Sequence, residues 1–206
     1  MLDRRDFLIG VCVGGAAAMA ALNRPQTARA GQAPFRYLRP PGARPETEFL
    51  SHCINCGQCG EACPNRCIKF FGPENGHASQ DTPYIIPREK GCILCMKCGD
   101  VCPTDAINPV PRELNAILAG VAMGRAQVDE RLCLSFQGKT CGVCYRACPL
   151  QDVAIKVGRL EQPHVTDKCV GCGLCERSCI QLPQAIRIIP RHTQMTNREN
   201  NAHRPA

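Results

Sequence analysis

Residues 91–107 read GCILCMKCGDVCPTDAI, which sets Cys92, Cys95, Cys98 and Cys102 at the spacing C-x2-C-x2-C-x3-C and follows the last cysteine with Pro103. A tight loop with a thiolate at every third position wraps three of them around one cubane, so this spacing is a ligand run for a 4Fe–4S cluster. The proline redirects the chain and carries the fourth thiolate to a different cluster, which ties neighbouring runs together.

The same spacing recurs at Cys53, Cys56, Cys59 and Cys63, before Pro64, and at Cys169, Cys172, Cys175 and Cys179, before Ile180. A stretched copy has seven residues between Cys133 and Cys141, after which Cys144 and Cys148 follow in normal register before Pro149. Four such repeats supply sixteen ligands, enough for four 4Fe–4S clusters. The repeat is wider than its cysteines, because an isoleucine closes each run. Ile68 and Ile107 stand five residues after the fourth cysteine, whereas Ile155 and Ile186 stand seven after it. Apolar packing around each cluster explains these positions.

The 206 residues include no tryptophan, 4% aromatics and 18 cysteines, a poor inventory for an ordinary hydrophobic core. The clusters must supply that core. A disulfide scaffold has no reason to keep one cysteine spacing three times over, and zinc prefers two C-x2-C pairs well separated in sequence. The net charge of +7 falls to +5 over residues 31–206. Four oxidised clusters with their thiolates, at about −2 each, bring the holoprotein to roughly −3, so no nucleic-acid partner is expected.

Residues 1–30 read as an export signal: Arg4-Arg5-Asp6-Phe7-Leu8, a weakly apolar run to Leu22, and Ala28-Arg29-Ala30 before Gly31. The arginine pair resembles a twin-arginine signal, a route that carries folded cargo and so suits clusters assembled before export. Cleavage is expected, because sixteen apolar residues are short of the roughly twenty that span a bilayer. Cys12 lies inside this segment and is not counted as a ligand. Residues 31–45 contain four prolines and read as an extended arm on the surface. The cluster domain occupies residues 46–189, and the polar residues 190–206 read as a disordered tail. Within the domain, a short helix is expected over 46–53, strand-like runs at 83–87, 126–128 and 163–165, and an amphipathic helix from Leu114, Ile117, Leu118, Val121 and Ala122 covering a cluster.

Aligning the fourth cysteines puts Cys67 where Ala106 stands, a small packing position before the closing isoleucine. His52, His77, His164, His192 and His203 are scattered, and none replaces a ligand cysteine. Tyr145 and Phe136 are assigned to packing against a cluster. Phe70 stands where a radical-SAM run begun by Cys63 and Cys67 would need its third cysteine, and no nucleophile with a base can be picked out. The chain reads as a redox-centre protein without a catalytic site.

The twin-arginine start, Arg39-Pro40-Pro41-Gly42-Ala43, Phe49-Leu50 before Cys53, Cys56-Gly57-Gln58-Cys59, Met123-Gly124, the gap after Cys133-Leu134, and CYRACPL from Cys144 together resemble the NapG/MauM family of exported ferredoxin-type proteins, nearly end to end. One departure is the plain spacing of Cys95 and Cys98, where family members commonly have a longer gap. The resemblance implies an α+β fold of two ferredoxin-like two-cluster modules, with small hairpins and helices packed on the clusters. It also implies a periplasmic electron carrier, membrane-associated through a partner. Electrons would pass from a membrane-bound ferredoxin-type quinol dehydrogenase to a periplasmic reductase such as nitrate reductase, or to another redox acceptor. The alternative is an iron–sulfur subunit of a stable molybdenum oxidoreductase complex. Matched insertions before the closing isoleucines favour sequential pairing of the runs. Similarity to four-cluster subunits of molybdenum oxidoreductases implies nested pairing, first with fourth and second with third, and nested pairing is the expectation.

Overall fold

The computed structural model describes residues 37–75 and 79–191. The expected export signal, the start of the arm and the tail from residue 192 lie outside the described residues. In chain order the elements are α1 (Glu46–His52), α2 (Gln58–Glu61), β1 (Lys69–Phe70), β2 (Pro83–Tyr84), α3 (Lys97–Asp100), α4 (Leu114–Gly120), β3 (Gly124–Val128), α5 (Val143–Arg146), β4 (Ile155–Val157), β5 (Pro163–Val165), α6 (Leu174–Ser178) and β6 (Ile186–Pro190). Short helices and two-stranded sheets make the fold α+β.

The cysteine runs fold alike because they share a backbone device. The residue after the second cysteine is left-handed in each: Gly57 at φ 75°, Met96 at 63°, Gly142 at 57° and Gly173 at 87°. That conformation reverses the chain after two thiols and starts the one-turn helix that carries the third. Glycine takes the position in three runs, and Met96 is the exception.

Each pair of runs is closed by two antiparallel pairings. In the second half, β4 and β5 form the hairpin between the third and fourth runs, with Lys156 opposite His164. Strands β3 and β6 join the chain before the third run to the chain after the fourth, with Ala126 opposite Ile188. The first half repeats this plan in miniature. Strands β1 and β2 link the first run to the second, and an antiparallel bridge pairs Ala43 with Ile107. Ile107 is therefore the counterpart of Ile186, and Ala43 the counterpart of Val128.

The expectation of a surface arm fails from residue 37 onward. Leu38 is fully buried and exchanges backbone hydrogen bonds of 2.9 and 2.8 Å with Ile85. Arg39, 6% exposed, donates from Nε to Glu46 at 2.9 Å and from Nη1 to Thr82 Oγ1 at 2.9 Å and the Pro83 carbonyl at 2.7 Å. Its guanidinium lies 4.5 Å from the Phe49 ring centre. Prolines cannot donate to a ladder, but Leu38 and Ala43 stand between them and make the pairings.

Two apolar clusters result. One gathers Phe49, Cys59, Cys98, Ala106 and Ile107, with Cys53 and Cys102 packed against it. The other holds Cys63, Cys92, Cys172, Cys175, Ile155, Ile186 and Ile188. Helix α4 forms as the periodicity predicts and buries Ile117 in the second cluster, while Leu114 stays 47% exposed.

Candidate metal centres

Three cavities each gather four cysteines, three from one run and the fourth cysteine of another. At site I, Cys53, Cys56 and Cys59 face Cys102 across a lining of Phe49, Ala106 and Ile107. At site III, Cys133, Cys141 and Cys144 face Cys179, with Leu134, Ser135 and Ile186. At site IV, Cys169, Cys172 and Cys175 face Cys148, with Leu150, Ile155 and Ile188. Site II is set by the second run: Cys63 is buried in the same cluster as Cys92, Cys95 follows in the loop, and Cys98 lies on α3 against the other cluster.

This arrangement corrects the expected pairing. The fourth cysteines are exchanged between consecutive runs, first with second and third with fourth, so the nested order does not occur. The hairpins are the physical reason, since β1–β2 and β4–β5 bring consecutive runs side by side, and α2 packs on α3 as α5 packs on α6. The equal offsets of Ile68 with Ile107, and of Ile155 with Ile186, were the sequence signal for it.

The donor sets fit iron–sulfur cubanes. Among the described residues no three His, Cys, Asp or Glu side chains converge on one ion position; the thiols ring apolar cavities, as a cube needs and a single zinc does not. Backbone amides add hydrogen bonds to sulfur: Leu94 donates to Cys92 Sγ at 3.4 Å, Ile107 to Cys102 Sγ at 3.4 Å and Ala126 to Cys169 Sγ at 3.5 Å. Such bonds stabilise thiolate and tune a cluster's potential.

The thiols are poor anions by themselves. Burial, then the neighbouring Cys53 and Cys56, pushes Cys59 up to about 12. Burial and Cys95 push Cys98 up to about 12, burial and Cys133 push Cys144 up to about 11, and burial alone is the largest cause for Cys172, also about 12. Cys175 is raised by burial and then by Cys172 and Cys169. Cys102 goes the other way: burial would raise it, but the amides of Ile107, Thr104 and Ala106 together bring it below its ordinary value. Crowded, buried thiols of this kind need bound cations to become thiolates.

Cys67 is 4% exposed, and Ala106, its counterpart in the repeat, 1%. Its Sγ lies 3.6 Å from Cys63 Sγ, which puts it in contact with site II. Tyr145 packs against the apolar cluster that holds Cys172 and Cys175 while its hydroxyl faces both Asp152 carboxylate oxygens at 3.0 Å, and Phe136 meets His164 edge-on. His52 and His164 are exposed; the remaining histidines lie outside the described residues.

Two polar residues escape a reading by spacing. Glu176, 5% exposed, accepts the Ile188 amide at 2.6 Å and fastens α6 to β6. Ser135, 1% exposed, lines site III with its hydroxyl unpaired. A serine inside the inserted loop, two residues after a ligand, was the available signal.

Cysteine foursomes traded within ferredoxin-like modules define an iron–sulfur electron-transfer protein. The 4Fe-4S dicluster domain family matches residues 52–106 and again 91–152, and the 4Fe-4S binding domain matches 166–179. The first match covers the runs that the structure pairs, while 91–152 joins runs that belong to different pairs. The methylamine utilization ferredoxin-type protein MauM of Methylorubrum extorquens is 36% identical over 97% of this chain and 94% of its own. The ferredoxin-type protein NapG of Escherichia coli is 40% identical over 91% and 85%, and the MauM protein of Methylophilus methylotrophus is 40% identical over 75% and 71%. The chain belongs to the NapG/MauM family of ferredoxin-type proteins, which are electron carriers and not enzymes.

Proposed function

We propose that all sixteen cysteines of the four runs ligate four 4Fe–4S clusters, and that the chain relays electrons in the periplasm from a membrane-bound ferredoxin-type quinol dehydrogenase to a reductase such as nitrate reductase. The observation that supports this reading is the exchange of fourth cysteines between consecutive runs at sites I, III and IV, with Cys63 beside Cys92 in one apolar cluster at site II. A 4Fe–4S cluster supplies a one-electron couple whose potential its surroundings set. The chain's own residues hold each cluster by three local thiols and one exchanged thiol, surround it with isoleucine, leucine and valine, and direct amides at its sulfurs. Arg4-Arg5 ahead of a cluster-rich chain supports export by the twin-arginine route. The family resemblance supports the partners.

The test reduces membranes with a quinol analogue and follows bleaching of added holoprotein, with and without the membrane partner, then its reoxidation by periplasmic acceptors including nitrate reductase. Expected are about sixteen iron per chain, partner-dependent bleaching and acceptor-dependent reoxidation. Substrate turnover by the isolated chain, or quinol-driven bleaching without membranes, overturns the relay. Replacing Arg4 and Arg5 by lysine should leave holoprotein in the cytoplasm; normal export of that variant overturns the assigned route.

A further inference from the structure

We propose that electrons cross the chain in the order site I, site II, site IV, site III, so that the path departs from the order of the sequence, and that the backbone contact between Cys92 and Cys172 is the crossing point between the two pairs. This rests on the four-cluster reading above. Within each pair, exchange of the fourth cysteines makes I adjacent to II and III adjacent to IV. Between the pairs, the Cys92 amide donates to the Cys172 carbonyl at 2.7 Å, joining a ligand residue of site II to one of site IV.

The loops around this bond are pressed together. A Cβ on Gly91 would lie 2.7 Å from the Leu174 nitrogen and 2.8 Å from the Gly173 carbonyl carbon, and a Cβ on Gly173 would lie 2.7 Å from Pro87 Cβ. Glycine is what permits the approach. Arg88 then clamps the fourth run by donating to the carbonyls of Glu176, Arg177 and Cys179 at 3.1, 2.9 and 3.0 Å. Cys63 and Cys92 of site II share one apolar cluster with Cys172 and Cys175 of site IV, while Cys98 of site II lies in the other with Cys59 of site I, so site II stands between the two. Electronic coupling falls steeply with distance and travels better through covalent and hydrogen bonds than through gaps, so II and IV are the favoured pair across the junction. In each transfer one site loses the electron that its neighbour gains; a quinol-class reductant supplies the first and an oxidising reductase takes the last.

The test removes clusters two at a time from full-length holoprotein reduced with dithionite, and reads spin–spin interaction by electron paramagnetic resonance. Cys56→Ala with Cys141→Ala leaves sites II and IV, whose spectrum should be broadened and split by mutual coupling. Cys95→Ala with Cys175→Ala leaves sites I and III, which should give the sum of two isolated signals. Cys56→Ala with Cys175→Ala leaves II and III, with weaker coupling than II and IV. Stronger coupling in the II and III pair, or in the I and III pair, overturns the order. Gly91→Val keeps every ligand and wedges the junction apart; it should weaken one coupling in the fully loaded protein, and an unchanged spectrum overturns the crossing point. Iron analysis separates the two levels: a native chain holding fewer than four clusters overturns the four-cluster reading itself, and the order with it.

A different observation carries a second inference. The structure assigns the Ser135 hydroxyl as a hydrogen-bond donor to sulfur at site III. It is 1% exposed, it lines the cavity shared by Cys133, Cys141, Cys144 and Cys179, and it has no other partner. A buried hydroxyl left unpaired is costly, and sulfur in the cavity offers an acceptor. A donor there favours the more negative, reduced state, so it raises the potential of that site. Ser135→Ala should shift one midpoint potential downward in a titration of holoprotein monitored by electron paramagnetic resonance, the affected signal being the one that Cys141→Ala abolishes. Ser135→Thr keeps the hydroxyl and should retain the native value, and Ser135→Gly provides a second hydroxyl-free variant. Midpoints unmoved in the alanine and glycine variants overturn the assignment.

Discussion

Arg39 is a long cation drawn into an apolar environment, and its surroundings answer every part of it: Glu46 for the charge, Thr82 and Pro83 for the remaining donors, the Phe49 face for the flat surface. Arg39→Met removes those bonds and the charge that faces Glu46, at an expected cost of about 2–3 kcal/mol. Arg39→Lys should fall between, because an ammonium cannot reproduce the planar fork. Thermal loss of the iron–sulfur absorbance measures both. Packing and ligating cysteines separate by substitution as well. Cys67→Ala should keep full iron content at a cost of about 1 kcal/mol, whereas Cys95→Ala should lose or convert one cluster, as iron and acid-labile sulfide analysis will show. Equal iron loss in both would make Cys67 a ligand.

At the level of elements, the closing isoleucines do more than cover clusters. Ile155 and Ile186 each open a strand, β4 and β6, and Ile107 makes the bridge to Ala43. The ligand loops, α1, α4 and the approach strands β2, β3 and β5 were legible because each is written locally, in spacing, periodicity or β-branched runs. The return strands were harder to see, because two or three residues beside a cysteine run carry no period of their own and pair only once the run has folded. The arm was misread for a related reason: proline content describes what a segment cannot donate, and says nothing of the Ile85 and Ile107 backbones waiting to pair with Leu38 and Ala43. Helix α6, one turn long, has no side-chain cap and relies on Arg88, just ahead of the second run, for its last carbonyls. Arg88→Ala should therefore destabilise the holoprotein by about 1–2 kcal/mol in denaturant melts, with cluster content unchanged in native buffer.

For the molecule as a whole, the cysteines of the four runs are at once the proposed ligands and part of the core. Oxidative removal of the clusters should abolish cooperative thermal unfolding along with the visible absorbance, since thiols left without iron and sulfide no longer bond the loops together; a sharp transition in the apoprotein would show that side-chain packing suffices. Gly91→Val should lower the stability as well, by about 1–3 kcal/mol, because the second and fourth runs touch through backbone with no side chain between them. That contact, like the pairing of the runs, was not legible in the sequence: spacing fixes which thiols share a loop, while the hairpins fix which loops share a thiol. Local exchange also has a consequence for biogenesis. Every ligand of sites I and II is translated before Cys133, so the first two clusters can be inserted while the second half of the chain is still being made. Nested exchange would have held the first site open until Cys179 emerged, leaving bare thiols waiting through most of synthesis.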